Sequence, residues 1–314
     1  TAFTFDENAT SAITTIATTD EDTDSVVTYQ ITGGTDGARF AVNSTTGVLT
    51  FSGFIPDFEN PLFSDDNDYE VTVTASDGTN TTDQTITVSV NDLNDNAPVF
   101  TSSTAFTFDE NATSAITTIA TTDEDTDSVV TYQITGGTDG ARFAVNSTTG
   151  VLTFSGFIPD FENPLFSNDN DYEVTVTASD GTNTTDQTIT VSVNDLNDNA
   201  PVFTSNASVS IDENTTDVVT LVTTDADTNP TVTYSITGGD DANSFAVTEA
   251  GALTISAVDH ELGKTEFKVT VTATDNDGVN STTQDITVTI NDTNDNAPVF
   301  TSNASVSIDE NTTD

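Results

Sequence analysis

The sequence predicts an all-β protein built as a tandem array of small sandwiches. Three observations predict it. Apolar and polar residues alternate at period two in short runs, as half-buried strands do. Clusters of Gly, Asn and Asp interrupt that alternation at short intervals, as turns between strands do. The chain also repeats itself on the scale of one compact domain. Thr, Val, Ile, Phe and Tyr supply most of the β-branched and aromatic content, which suits a pleated surface. No stretch carries a helical period.

In the first repeat, Phe3 and Phe5 share one face of residues 2–5, and residues 11–18 carry Ile13 and Ile16. Residues 26–31 place Val27, Tyr29 and Ile31 together before Gly33 and Gly34 end the run. Phe40 and Val42 open a short strand, and the turn at Thr45, Thr46 and Gly47 leads into residues 48–51. Tyr69, Val71, Val73 and Ala75 alternate, as do Ile86, Val88 and Val90. About seven short strands per repeat predict an antiparallel Greek-key, immunoglobulin-like sandwich, with the sandwiches arranged end to end. Its expected core is Phe3, Ile31, Phe40, Leu49, Tyr69, Val71, Val73, Ile86 and Val88.

Residues 1–103 and 104–206 are the same sequence except at Asp65 against Asn168 and Ser103 against Asn206. Residues 204–300 are a diverged copy, and residues 301–314 repeat 204–217 letter for letter. The expected division is 1–100, 101–203 and 204–300 as full repeats, with 301–314 as the first strand of a fourth. A lone first strand has no sheet to join, so the array is expected to continue, and the missing initiator Met points to an internal or processed piece.

The formal net charge of the 314 residues is −48, from 52 Asp and Glu against 4 Lys and Arg. Such a chain is not expected to bind nucleic acid or an anionic membrane; cations are its natural partners. Cys, Met and Trp are absent, which excludes disulfides, thiolate metal sites and cysteine nucleophiles. No run is long and apolar enough to span a membrane in this window. No serine triad, phosphate-binding glycine loop or basic patch appears, and no enzyme is expected.

The carboxylates outside the strands recur at fixed places. The first repeat has Asp6-Glu7-Asn8, Asp20-Glu21-Asp22, Asp57-Phe58-Glu59, the lone Asp77, and NDLNDNAPVF at residues 91–100. The second has Glu110, Asp123-Glu124-Asp125, Asp160-Phe161-Glu162, Asp180 and the same ten residues at 194–203. The third has Glu213, Asp225-Ala226-Asp227, Asp259-His260-Glu261, Asp275 and NDTNDNAPVF at 291–300. Asp and Asn favour turns, and the residue before Pro is held extended, so each decapeptide reads as a strand end leading into a stiff connector.

This ordered set of an isolated Glu, D-x-D, D-x-E, a lone Asp and D-x-N-D-N-x-P resembles the cadherin repeat, over essentially the whole chain. The near-identical tandem units, the Thr, Asn and Asp richness and the missing Cys are most like the cadherin-like repeats of large bacterial surface adhesins. The resemblance implies calcium between successive repeats, about three ions at a complete junction. It assigns the first junction to Glu7, Asp57, Glu59, Asp92, Asn94 and Asp95, with the carbonyls of Leu93 and Asn96, completed by Asp123, Asp125 and Asp180. The second would use Glu110, Asp160, Glu162, Asp195, Asn197 and Asp198, the carbonyls of Leu196 and Asn199, and Asp225, Asp227 and Asp275. Glu213, Asp259, Glu261, Asp292, Asn294 and Asp295 would form part of a third, which is expected to be incomplete, as is the set Asp20, Asp22 and Asp77.

Elementary electrostatics agrees. Calcium takes six to eight oxygen ligands, and the first junction offers eight carboxylates. Two carboxylates about 4 Å apart repel by roughly 4 kcal/mol at an effective dielectric near 20, so the connector would splay without a cation. Zinc suits neither the oxygen donors nor the single histidine, and magnesium rarely uses such cages.

Residues 60–68 are an insertion relative to the third repeat, read as a surface loop with a hydrophobic anchor or as an extra weak cation site or contact patch built on Asp65, Asp66 and Asp68. His260 stands at the variable middle of D-x-E, with its side chain expected to point away from the ligands. With no Trp, the strand exchange of Trp-anchored vertebrate cadherins does not carry over.

The expected function is a calcium-dependent structural or adhesive extender, a surface stalk or filament shaft stiffened at its junctions. It would be extracellular, on a bacterial cell surface, with neighbouring chains or a surface ligand reached through flanking regions. The alternative is a calcium-stabilised module that binds polysaccharide or protein through exposed aromatics such as Phe54, Phe58 and Phe63.

Overall fold

The computed structural model describes residues 1–22, 25–63, 66–126, 128–166, 169–228, 230–276, 278–302, 304–308 and 310. Asp65 and Asn168, where the first two repeats differ, lie outside the described residues, as do 311–314 of the expected fourth-repeat strand. The chain divides into two compact units, Thr1–Asn194 and Asp195–Asp314.

In the first unit, the first sandwich runs β1 (Ala2–Asp6), β2 (Thr14–Thr15), β3 (Thr28–Gly33), β4 (Phe40–Val42), β5 (Val48–Phe51), β6 (Asp68–Ser76) and β7 (Thr81–Asn91). One sheet has the order β1-β7-β6-β3 and the other β2-β5-β4. The expected sandwich is therefore found, with one amendment: β1 runs parallel to β7, Phe3 beside Val88 and Phe5 beside Val90. Alternation fixes which side chains share a face but not the direction of the partner, so the parallel pair is invisible in the sequence.

Leu49, Tyr69, Val71, Val73, Ile86, Val88 and Phe40 are buried as expected. Phe3 and Ile31 are only half-buried, while Phe5, Ile16, Tyr29 and Val90 join the core. Phe51 gathers the rings, with centroids 5.3 Å from Phe5, 4.9 Å from Phe40 and 5.3 Å from Tyr69. Gly34 is required where β3 leaves the sheet: its φ is +94°, and a Cβ there would stand 2.5 Å from the Glu70 carbonyl oxygen.

The second sandwich opens with β8 (Val99–Phe100) from the connector, then β9 (Ala105–Asp109), β10 (Thr117–Thr118), β11 (Thr121–Thr122), β12 (Thr131–Gly136), β13 (Phe143–Val145), β14 (Val151–Phe154), β15 (Asp171–Ser179) and β16 (Thr184–Asn194). Its sheets are β9-β16-β15-β12 and β10-β14-β13. β8 pairs antiparallel with β11, which ties the end of the connector to the sandwich that follows it.

The second unit repeats the plan. Val202–Phe203 pairs with Thr223–Thr224, and Ser208–Asp212 runs parallel to Ser281–Asn291. Residues 292–300 are exposed apart from the half-buried Thr293. Among the described residues of 301–314 no strand forms, and Val306 and Ile308 are exposed. No described helix is long and apolar enough to cross a membrane.

Candidate metal centre at the first junction

The first unit brings Glu7, Asp57, Glu59, the 92–96 connector, Asp123, Asp125 and Asp180 together at the boundary of its two sandwiches. Each half is shaped by local hydrogen bonding. β1 ends at Asp6, so Glu7 turns inward and is only 1% exposed. Its Oε2 accepts from the Phe58 N–H at 2.7 Å and its Oε1 from the Leu93 N–H at 2.8 Å. Asn8 takes a left-handed φ of 56°, and Asp57 Oδ1 accepts from the Asn60 N–H at 2.9 Å. Glu7 thus ties the D-x-E segment and the connector to the end of β1.

On the other side, Asp123 Oδ1 accepts from the Asp125 N–H at 3.1 Å. Asp180 Oδ1 accepts from the N–H groups of Thr182 and Asn183, both at 2.6 Å. Asp20 and Asp22, and Asp77 with Thr79 and Asn80, adopt the same arrangements. The D-x-D and lone-Asp half is therefore built within its own repeat, as Asp side chains favour when they bond their backbone two residues on.

The halves meet through the connector. Asn96 donates from its backbone N–H to Asp125 Oδ2 at 3.2 Å and from its amide to Asp125 Oδ1 at 3.1 Å. The Thr126 N–H donates to Asp92 Oδ2 at 2.8 Å. The Asn183 amide donates to the Asn96 carbonyl at 3.0 Å and lies 3.3 Å from Asn94 Oδ1. The Leu93 carbonyl accepts from the Asp95 N–H at 2.9 Å.

Asn8, Thr126 and Asn183 were not expected at the site. Their signal was present: Asn follows the isolated Glu in every repeat, and Asn80, Asn183 and Asn280 recur downstream of the lone Asp.

Three overlapping carboxylate triads result: Glu7, Glu59 and Asp92; Glu59, Asp95 and Asp125; and Asp123, Asp125 and Asp180, each with ligand oxygens within 4.8 Å of one another. Charges at that separation repel by about 3.5 kcal/mol per pair at an effective dielectric near 20. Glu59 Oε1, Asp92 Oδ1, Asp123 Oδ2 and Asp180 Oδ2 are buried without any hydrogen-bond partner. Buried carboxylate oxygens are rarely left so. These donors are all hard oxygens, with backbone carbonyls beside them, which is the set calcium takes and zinc does not.

The titration behaviour carries the same strain. Burial, then Glu7, Asp92 and Asp125, pushes Glu59 up to about 7. Burial comes first for Asp95 too, with Glu7, Asp125 and Asp57 adding to the rise. For Asp180 burial works upward, but the N–H groups of Asn183 and Thr182 outweigh it and hold the carboxyl low.

An acid held at about 7 in the folded chain and released near 4.3 when unfolded gives stability that is whole below about 4.3 and is lost as pH rises through about 7. In calcium-free buffer, thermal unfolding of the first sandwich should therefore fall between pH 5 and 8. Glu59→Gln should flatten that dependence; an unchanged pH profile in the variant would count against the assignment.

In the second unit, Asp195 Oδ2 accepts from the Thr228 N–H at 2.7 Å, and its Oδ1 is buried and unpartnered, as is Asp225 Oδ2. Asp227 accepts from the Asn199 amide at 3.0 Å, Asn199 also donates to Asp198 at 2.9 Å, and Asp275 is buried. The Asn280 amide donates to the Asn197 carbonyl at 2.9 Å. Glu110, in the first unit, accepts from the Phe161 N–H at 2.6 Å, and Asp160 from the Asn163 N–H at 2.9 Å.

Further along, Glu213 accepts from the N–H groups of His260 at 2.7 Å and Thr293 at 2.8 Å. Asp259 caps the turn at His260–Leu262, and Asp295 accepts from the Asn214 amide at 2.9 Å. His260 does not point away from the acidic group: a ring nitrogen lies within 4.8 Å of Glu261 and Asp292 oxygens. His260 opens a short helical turn, His260–Leu262, that the described residues of the D-x-E segments in repeats 1 and 2 do not form.

The aromatics considered for ligand binding are mostly committed to packing. Phe54 and Phe58 pack on the core, and Phe54 stands 5.2 Å from Phe51 and 5.1 Å from Phe63. Phe63 alone is exposed, under the Arg39 guanidinium at 3.4 Å.

Repeated sandwiches whose carboxylates gather at the joint between one sandwich and the next define a modular repeat protein organised by its connectors. Residues 1–91, 104–194 and 207–291 each match the cadherin domain, and the chain belongs to the cadherin family. It is 32% identical over 309 residues to mouse Cadherin EGF LAG seven-pass G-type receptor 2, covering 92% of this chain and 10% of that protein. It is 31% identical over 314 residues to human Protocadherin Fat 1, covering 91% of this chain and 6% of that protein. The chain thus spans a small fraction of these relatives.

Among solved structures, mouse Cadherin-23 EC22-24 aligns with a TM-score of 0.68 at 24% identity, over 93% of this chain and 96% of that one. The Protocadherin GammaB4 extracellular domain aligns with a TM-score of 0.67 at 26% identity, over 95% of this chain and 49% of that one. Calcium binding and an extracellular setting fit this family.

Proposed function

We propose that the chain is a calcium-dependent extender, a length of surface stalk or filament shaft in which calcium clamps each junction between sandwiches spanning 1–100, 101–203 and 204–300. The observation that carries this reading is the set of buried, unpartnered carboxylate oxygens on Glu59, Asp92, Asp123 and Asp180. Such groups cost free energy unless a cation completes them. The residues that would hold calcium are those the resemblance assigns, with Glu7 also acting as the brace behind them. Three overlapping triads support about three ions at the first junction. Bound calcium would supply the positive charge that lets the connector stay compact.

A cell-surface setting follows from this reading, with adhesion contributed by neighbouring chains or flanking segments. The near-identity of residues 1–103 and 104–206 and the missing Cys support a large bacterial surface adhesin as the parent. The relatives named above are mouse and human proteins, so that narrower reading rests on the repeats alone.

Small-angle scattering before and after chelation tests the proposal. Removing calcium should broaden the pair-distance distribution and shorten the mean end-to-end distance, as a stiff array becomes a jointed one. An identical scattering curve with and without calcium would sink it.

A further inference from the structure

One uncharged side chain at the first junction has two stations. Residues 76–82 and 179–185 are the same sequence and form the same loop. Asp77 Oδ1 accepts from the N–H groups of Thr79 and Asn80, both at 2.6 Å, and Asp180 Oδ1 from those of Thr182 and Asn183, also at 2.6 Å. The Gly78 N–H donates to Ser76 Oγ and the Gly181 N–H to Ser179 Oγ, each at 3.1 Å. Only the asparagine amide differs. Asn80 turns it back to Asp77 Oδ2 at 3.1 Å. Asn183, which faces the connector, gives it to the Asn96 carbonyl at 3.0 Å and to Asn94 Oδ1 at 3.3 Å.

That turn has a second consequence. With the amide on the connector, Asp180 Oδ2 is buried without a hydrogen-bond partner. Three oxygens assigned above to the cation are therefore affected together. Asn94 Oδ1 and the Asn96 carbonyl gain a donor that fixes them, and Asp180 Oδ2 is left bare. An amide or carbonyl oxygen has two lone pairs, so each can accept from Asn183 and still face an ion. A bare, buried carboxylate oxygen is the one that gains most from that ion.

Repeat 3 reaches the same contact through a different loop. Asp275 and Asn280 are two residues further apart than Asp180 and Asn183. The Asp275 N–H still donates to the Asn280 carbonyl at 3.2 Å, as the Asp180 N–H does to the Asn183 carbonyl at 3.3 Å. The Asn280 amide donates at 2.9 Å to the carbonyl of Asn197, which stands in its connector where Asn94 stands in the first. A contact that survives a change of loop length serves the connector rather than the loop.

We propose that Asn183 is a positioning residue for calcium at the first junction, and that Asn280 holds the next connector in the same way. The Asn183 amide sets the connector oxygens facing the cation and, by leaving the lone Asp, frees Asp180 Oδ2 for it. This rests on reading the joint as a calcium clamp. Charge counting alone gives the opposite expectation for one substitution. Asn183→Asp adds a carboxylate, which by count should tighten calcium binding. By position it should weaken binding, because the new side chain has no donor and faces two acceptors.

Calcium chloride titrated calorimetrically into the whole, chelator-stripped chain tests this. Asn183→Ala should weaken uptake at the first junction by roughly three- to tenfold, the worth of about one net hydrogen bond, and Asn183→Asp by more. Asn80→Asp makes the same change in the same loop, where the amide serves Asp77, and should leave that junction's affinity unchanged. Circular dichroism should show all three variants folded as the parent is. Tighter binding by Asn183→Asp, an equal loss in Asn80→Asp, or parental affinity in both Asn183 variants overturns the proposal. A parent chain that takes up no calcium overturns the clamp itself, a result distinct from any of these.

Discussion

Asp125→Ala is expected to loosen the first junction while leaving both sandwiches folded. Asp125 is 5% exposed and belongs to two of the carboxylate triads. Its two oxygens take the Asn96 N–H and amide at 3.2 and 3.1 Å, so it joins the connector to the second sandwich. It is absent from the hydrophobic cluster that holds that sandwich, whose buried members run from Phe108 to Val193. The change removes a carboxylate that two triads share and frees two donors of the half-buried Asn96, a loss that falls on the connector and not on either sandwich core. Calcium affinity at this junction should fall by roughly 100-fold or more, which corresponds to about 2.7 kcal/mol. A calcium titration followed by small-angle scattering should move to higher concentration, while calcium-free melting stays near that of the parent. Global unfolding of the variant at saturating calcium would contradict sandwiches that fold one by one.

The fold was legible because each strand of this chain carries its own alternation. Tyr69, Val71 and Val73 read as one face in sequence and lie in one core. What stayed hidden was long-range. β1 finds its partner in β7, about a whole domain away, and period two is silent on direction, so the parallel pairing could not be read. Phe5, rather than Phe3, is the buried residue of β1 because it stands beside Val90 and meets Phe51 at 5.3 Å.

The candidate site divides in the same way. The carboxylates recur at fixed spacing, so their grouping could be inferred. The donors that join the halves, Asn183 and Thr126, carry no charge to mark them: Asn183 recurs as Asn80 and Asn280 in the other repeats, but its part shows only where the two halves meet. His260 was misjudged because the turn at His260–Leu262 reorients the middle of its D-x-E segment. Glu7 was read as one ligand among many, whereas its two oxygens are already engaged by backbone N–H groups.

That engagement predicts a different outcome for Glu7→Ala: a loss of stability in the first sandwich itself, seen without calcium. The side chain is 1% exposed, and its removal leaves the part-buried Phe58 and Leu93 N–H groups without their acceptor. Two such groups cost about 2–5 kcal/mol together. Deleting a charge beside Glu59 and Asp92 acts in the opposite sense by relieving repulsion. At pH 6 that relief is small for the Glu59 partner, because burial has already pushed Glu59 up to about 7 and it holds its proton. The hydrogen bonds then dominate. For a domain of this size each kcal/mol moves the midpoint by about 4–8 °C, so the calcium-free first sandwich should melt lower by about 10 °C or more. Glu7→Gln separates the two effects: it removes the charge, keeps one acceptor, and should melt between the parent and Glu7→Ala. Both variants should bind calcium less tightly at the first junction. If Glu7→Ala melts with the parent in calcium-free buffer, Glu7 acts only when the cation is present, and its place as the brace of the joint is lost.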